Sequence, residues 1–285
     1  MTVCVSVKVS EGIVLASDST ATLQGALKDP AGNQATGILK TYDHARKLSH
    51  LKDYPIGTLT WGTYLVGPRS VESLIKEYEY TLPSLAEEEE KARGARLSGQ
   101  SPPPFTFDVK SIASGLLAHV QKAYTAEYGH IPQSSQPPLG ILVSGFSYGS
   151  FFPDQWLLTI PGPTQPQELR PDVGGKPSFG ANWFGLTDAI VRLHWGRDDA
   201  SLELLANRFS VSVDDVRAIL DPLQYPVPFE GMPLQDAIDY AVYLVNVVIG
   251  RFRFVIGAPV CGGEIDLAVL TPNAFTWVSR KSWKL

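Results

Sequence analysis

The second arm of the first hairpin, Gly12-Ile13-Val14-Leu15-Ala16, lacks a polar side chain, and this constrains the fold more than any other stretch. A strand with one wet face alternates apolar and polar residues, whereas a continuously apolar strand is covered on both faces. A sheet or helix layer must therefore lie on each side of it. The arm before it, Val3-Cys4-Val5-Ser6-Val7-Lys8-Val9, alternates valine with small or polar residues, and Ser10-Glu11-Gly12 supplies a tight turn. Residues 2–18 thus read as a β-hairpin inside a layered structure. At 285 residues and 44% hydrophobic content, the chain can bury such a core in one large domain.

Further along, residues 23–39, with Gly25, Pro30, Gly32 and Gly37, read as a loop or extended excursion before short strands at 47–51 and 56–61. Helical spacing marks 71–80 and 85–93, where Glu87-Glu88-Glu89-Glu90 reads as a solvated face or a fraying end, and 94–104 reads as a linker or surface loop. Ile112, Leu116, Leu117, Val120 and Tyr124 recur at three and four, predicting a long helix over 107–128. A strand pair at 139–146 and 156–160 follows, then a strand at 178–184 leading into a helix over 185–195. Two short helices at 200–209 and 213–220 precede a Pro-rich, aromatic surface insertion at 222–231. A strong helix at 233–252 and strands at 264–270 and 275–278 close the chain. Strand groups separated by helix pairs predict an α+β fold with two stacked sheets enclosed by helices, a four-layer αββα sandwich. The expected organisation is one domain over 1–285 with insertions near 23–39, 94–104 and 197–231. A dinucleotide-binding fold would need a Gly-rich strand-to-helix turn, which is missing.

Composition narrows function. Net charge is -5 with no dense Lys/Arg stretch, so neither nucleic acid nor a membrane surface is an expected partner. Proteins or peptides are. Cys4 and Cys261 alone cannot build a disulfide framework and suit a reducing cytosol. The longest apolar stretch, 238–249, is interrupted and too short to span a bilayer, and no signal-like leader opens the chain, so a soluble, cytoplasmic protein is expected. His44, His50, His119, His130 and His194 show no ligand spacing on one helix face, which predicts no metal centre, and no cofactor is implied. Gly145-Phe146-Ser147-Tyr148-Gly149 formally fits a serine nucleophile elbow, yet a strand rather than a helix follows it, which predicts a hairpin turn.

The chemistry-bearing feature is Thr2. Once Met1 is removed, Thr2 carries a hydroxyl and an α-amine on one Cα, and an amine with a pKa of about 8 can take the hydroxyl proton. If the hairpin turns near Ser10-Glu11, facing residues have numbers summing to about 21, which places Thr2 across from Ser19 and beside Asp18. A carboxylate there can hold an ammonium partner.

The segment from Thr2 to Ser19 resembles the start of a mature proteasome β-type subunit, a threonine peptidase of the N-terminal-nucleophile (Ntn) hydrolase family. Thr2, Gly12, Ala16-Ser17-Asp18 and Lys47-Leu48 fit its pattern, with the Asp sixteen residues after the Thr. Near the other end, Gly262-Gly263-Glu264-Ile265-Asp266-Leu267-Ala268-Val269-Leu270-Thr271 resembles the family's Gly-Gly-x-Ile-Asp-x-Ala-Val-Ile-Thr strand. The resemblance implies a threonine endopeptidase with Thr2 as nucleophile and Asp18 and Lys47 as its charged pair. Arg46 takes the lysine's place if the register slips by one. Gly62, in Leu59-Thr60-Trp61-Gly62, corresponds to the glycine whose backbone N–H serves the oxyanion hole, and Ala181 falls roughly where a serine amide assists it. It further implies a peptide or protein substrate, self-association into a ring or related homo-oligomer, and room for an unfoldase partner. One departure is plain: where the family has Asp-x-x-Ser before the glycine pair, this chain has Ala258-Pro259-Val260-Cys261, so the supporting acid is absent, and Cys261 either replaces the serine or is an inert small buried residue. Two other readings stay open: a catalytically silent structural subunit of the same fold, which retained Met1 would favour, and an amidase for small non-peptide amides.

Overall fold

The valines of the first strand and the apolar run of the second impose the layering. The computed structural model describes residues 2–28, 34–102, 105–257 and 259–282. The expected removal of Met1 and the Ala258 position lie outside them. Strands β1 (Val3–Val9) and β2 (Gly12–Ser17) form the hairpin, every residue of both buried. A second hairpin, β3 (Ala21–Lys28) and β4 (Gln34–Tyr42), forms where a loop or extended excursion was expected. Then come β5 (Leu48–His50), β6 (Ile56–Gly62) and the short pair β7 (Leu65–Val66) and β8 (Arg69–Ser70). Helices α1 (Val71–Glu79), α2 (Leu85–Leu97) and α3 (Val109–Tyr128) follow. The middle of the chain gives β9 (Leu139–Gly145), β10 (Asp154–Ile160), β11 (Gln167–Glu168) and β12 (Gly180–Gly185). Helices α4 (Asp188–Trp195), α5 (Asp199–Phe209), α6 (Val213–Leu220) and α7 (Leu234–Arg253) lead to the closing strands β13 (Asp266–Thr271) and β14 (Ala274–Ser279).

Two five-stranded antiparallel sheets result, ordered β12-β1-β2-β13-β14 and β11-β10-β9-β6-β5. Strand alternation distributes β1 and β2 between two cores. Val3, Val5, Val7, Val9, Val14 and Ala16 face outward onto Ala237, Ala241, Leu244, Val245 and Val248 of α7. Cys4, Ile13 and Leu15 face inward and meet Leu48, Leu59 and Leu142 of the second sheet. The far side of that sheet, with Ile56, Ile141, Val143 and Leu158, packs on Leu74 and Ile75 of α1 and on Leu116, Leu117 and Val120 of α3. The order of layers is therefore helix, sheet, sheet, helix, as two-sided burial of β2 requires. Truncating a side chain as enclosed as Leu15 would cost about 2–5 kcal/mol.

One local expectation needs correction. Helix α2 runs to Leu97 and does not stop at 93, because Gly94 lies in open solvent where a mid-helix glycine costs only about 1 kcal/mol. The two short helices expected at 200–209 and 213–220 form as α5 and α6, each begun by a reciprocal capping box (Asp198 with Ser201, Ser212 with Asp215) and joined through Leu202, Ala206 and Val216. Ser147 lies in the β9–β10 turn, where its hydroxyl donates to Asp154 Oδ2 at 3.0 Å and accepts from Val109 N–H at 3.1 Å. It is a turn residue and not the nucleophile of an elbow.

Candidate active site

Hairpin register sets the first contact. Cys4 pairs with Ser17 and Val5 with Ala16, the predicted sum of 21. Extending it, Asp18 N–H donates to Val3 C=O at 3.2 Å, and Val3 N–H donates to Asp18 Oδ1 at 2.9 Å. The carboxylate thus grips the backbone immediately after Thr2. Thr2 itself is buried, and its carbonyl accepts from Leu186 N–H at 2.7 Å.

Asp18 is wholly enclosed and uses both oxygens. Besides Val3 N–H, Oδ1 accepts from Lys47 Nζ at 2.6 Å, while Oδ2 accepts from Thr20 N–H at 3.2 Å and Gly262 N–H at 3.3 Å. Lys47 also donates to Thr20 C=O at 2.6 Å. Both partners of this ion pair are buried, so the full set of hydrogen bonds is what makes the charges tolerable there. Arg46, the alternative cation, points elsewhere and pairs with Glu72 at 3.5 Å.

Lys47 is held by the second sheet. Thr60 N–H donates to Lys47 C=O at 2.8 Å, and Cys4 Sγ donates to Thr60 C=O at 3.4 Å, tying β1 to β6 between the sheets. Gly62 lies two residues beyond Thr60 with φ +91, and a Cβ there would overlap the Pro138 carbonyl, so only glycine fits.

Cys261 is buried beside Asp18, and burial first, then the Asp18 charge, pushes its thiol up. Burial likewise pushes up the Cys4 thiol. Both cysteines stay protonated and free, hence poor nucleophiles.

Ala181 does not belong to this site. It pairs with Val7, five residues along β1 from Thr2, which at a rise of about 3.3 Å per residue is about 16 Å away. The part of β12 that reaches Thr2 is its end: Gly185 pairs with Val3, and Leu186 bonds Thr2. Gly185 has φ +83, and a Cβ on it would overlap the Thr2 carbonyl oxygen. The glycine followed by a helix start was the available signal.

A second buried pair was not anticipated. Lys281, past the end of β14, donates from Nζ to Asp266 Oδ2 at 2.5 Å, Ser19 Oγ at 2.7 Å and Ala45 C=O at 2.7 Å. Burial pulls this ammonium below the ordinary lysine range, and the Asp266 carboxylate pulls it back. Among the described residues, no group of three His, Cys, Asp or Glu side chains gathers as a metal site, and no helix is long and apolar enough to cross a membrane.

Two antiparallel five-stranded sheets stacked between helix layers make an α+β, four-layer αββα sandwich, the proteasome-like Ntn-hydrolase fold. Among solved structures, the chain is similar to a Gly-1 mutant of Anbu from Hyphomicrobium sp. strain MC1, with TM-score 0.54 and 14% identity over 99% of this chain and 86% of that one. At that identity the likeness shows the fold. No family model and no curated protein matches the sequence.

Proposed function

We propose that this chain is a threonine-type peptidase or amide hydrolase that uses Thr2 after removal of Met1. The observation that carries the reading is the buried Lys47–Asp18 pair, 2.6 Å apart, with the same carboxylate bonded to Val3 N–H one residue from the nucleophile. Thr2 Oγ attacks the substrate carbonyl carbon while the α-amine, directly or through one water, accepts the hydroxyl proton. The Lys47 ammonium disfavours protonation of that amine, and Asp18 fixes the ammonium in place. The oxyanion is received by the backbone N–H of Gly62, a donor worth about 3 kcal/mol of transition-state stabilisation. Collapse expels the amine product, which takes the proton, and leaves an ester on Thr2. Water activated by the same amine then hydrolyses the ester. Cys261 replaces the family serine as a small buried neighbour of Asp18. The substrate class is a peptide or protein, and self-association into a ring or related assembly belongs to the same reading.

The test is intact mass before and after a peptide electrophile directed at N-terminal threonines. The reading expects a species lighter by one methionine and one adduct that Thr2→Ala abolishes. Uniform Met1 retention in folded protein, or equal labelling of parent and Thr2→Ala, overturns it in favour of a silent scaffold of the same fold.

A further inference from the structure

Asp18 and Lys47 are 29 residues apart in sequence, and most of the intervening chain is the β3–β4 hairpin. Closing a loop of that length costs conformational entropy, and the closure point must hold two charged side chains in one geometry. Lys281 is placed at that point. Its three ammonium protons have three acceptors: Ser19, adjacent to Asp18; Ala45, two residues before Lys47; and Asp266 on β13. Ser19 Oγ in turn donates to the Glu264 carbonyl, and Ala45 N–H donates to Ser19 C=O at 2.9 Å. Asp266 Oδ1 also accepts from Lys281 N–H at 3.0 Å, so the tail itself is fixed against β13. Lys281 and Asp266 are both buried.

We propose that Lys281 is a positioning residue for the Thr2 site: the C-terminal segment inserts an ammonium that clamps the residues just past β2, where Asp18 lies, to the segment between β4 and β5 that leads into Lys47. This deepens the hydrolase reading and rests on it. The clamp takes up a supporting task in a chain that lacks the family's Asp-x-x-Ser segment, with a cation arriving from the opposite end of the sequence. Lys281 touches neither substrate nor nucleophile in this account. It acts through Ser19 and Ala45 on the orientation of Asp18 and Lys47. Its loss would therefore slow bond formation at Thr2 without weakening the binding of what is attacked.

The full-length protein carries the test. Acylation of Thr2 by a peptide β-lactone is followed by intact mass over a concentration series, giving a maximal rate and a half-saturating concentration for the parent, Lys281→Met and the double variant Lys281→Met/Asp266→Asn. The double variant removes both buried charges together, so a folded protein is available even where the single one is unstable. The expected result is a maximal rate lower by about tenfold to a hundredfold in both variants, as for a displacement of about 1 Å, with the half-saturating concentration unchanged. A double variant that melts with the parent and still acylates slowly shows positioning rather than bulk stability. A folded variant that acylates at the parent rate, or one whose loss lies wholly in half-saturation, overturns the proposal while leaving Thr2 as nucleophile. Equal labelling of parent and Thr2→Ala removes the nucleophile itself, and with it anything to position.

Discussion

Replacing Asp18 by Asn keeps the size of the side chain and changes only what it offers. Oδ1 can still accept from Lys47 and Val3, but the amide nitrogen now directs its N–H groups toward the N–H donors of Thr20 and Gly262. Two buried donors lose their acceptor, and the Lys47 cation loses its counter-charge. Breaking one side of a buried ion pair costs about 3–5 kcal/mol, against which the other losses are secondary. At about 2–4 °C per kcal/mol for a domain of this order of size, the melting temperature should fall by about 10 °C. Lys47→Met leaves the opposite defect, an unpaired carboxylate retaining its three backbone donors, and should cost less. The double variant Asp18→Asn/Lys47→Met should recover a large part of the first loss, because neither member of the pair is left as an uncompensated buried charge. The coupling, measured by urea unfolding across the four proteins, is expected at about 2–3 kcal/mol. All three variants should lose Thr2 acylation. Additive effects, or an Asp18→Asn protein melting within about 2 °C of the parent, would refute the claim that this pair is charged and mutually dependent in the folded chain.

Gly185→Ala places a methyl group against the Thr2 carbonyl at a left-handed φ, straining the backbone and breaking the Leu186 bond. A stability loss of about 2–3 kcal/mol and acylation slower by about a hundredfold are expected from urea unfolding and adduct kinetics. Burial holds the imidazoles of His50 and His194 below their ordinary 6.5, so just below that pH the unfolded chain binds more protons than the folded one. Their contribution is fully present above 6.5 and is lost as pH falls through it towards the folded values. Unfolding midpoints at about pH 7.5 and about pH 5.5 should accordingly lie closer together in His50→Asn/His194→Gln than in the parent.

The sequence by itself determined the covered second strand, the hairpin register and hence the meeting of Thr2 with Asp18. These depend on strand alternation and one tight turn, which act over a few residues and leave a readable pattern. The four layers followed from the same two-sided burial. Tertiary structure alone decided which part of β12 borders Thr2, because β1 and β12 are joined by no turn and their register is set by how whole sheets pack. Reading Ala181 into the site was an error of this kind, with Gly185 and Leu186 occupying the position. Lys281 was equally illegible: it stands in an ordinary Arg-Lys-Ser tail, 262 residues from the Ser19 hydroxyl it binds. A buried charge is specified by the partners that surround it, and only the folded chain brings those partners together.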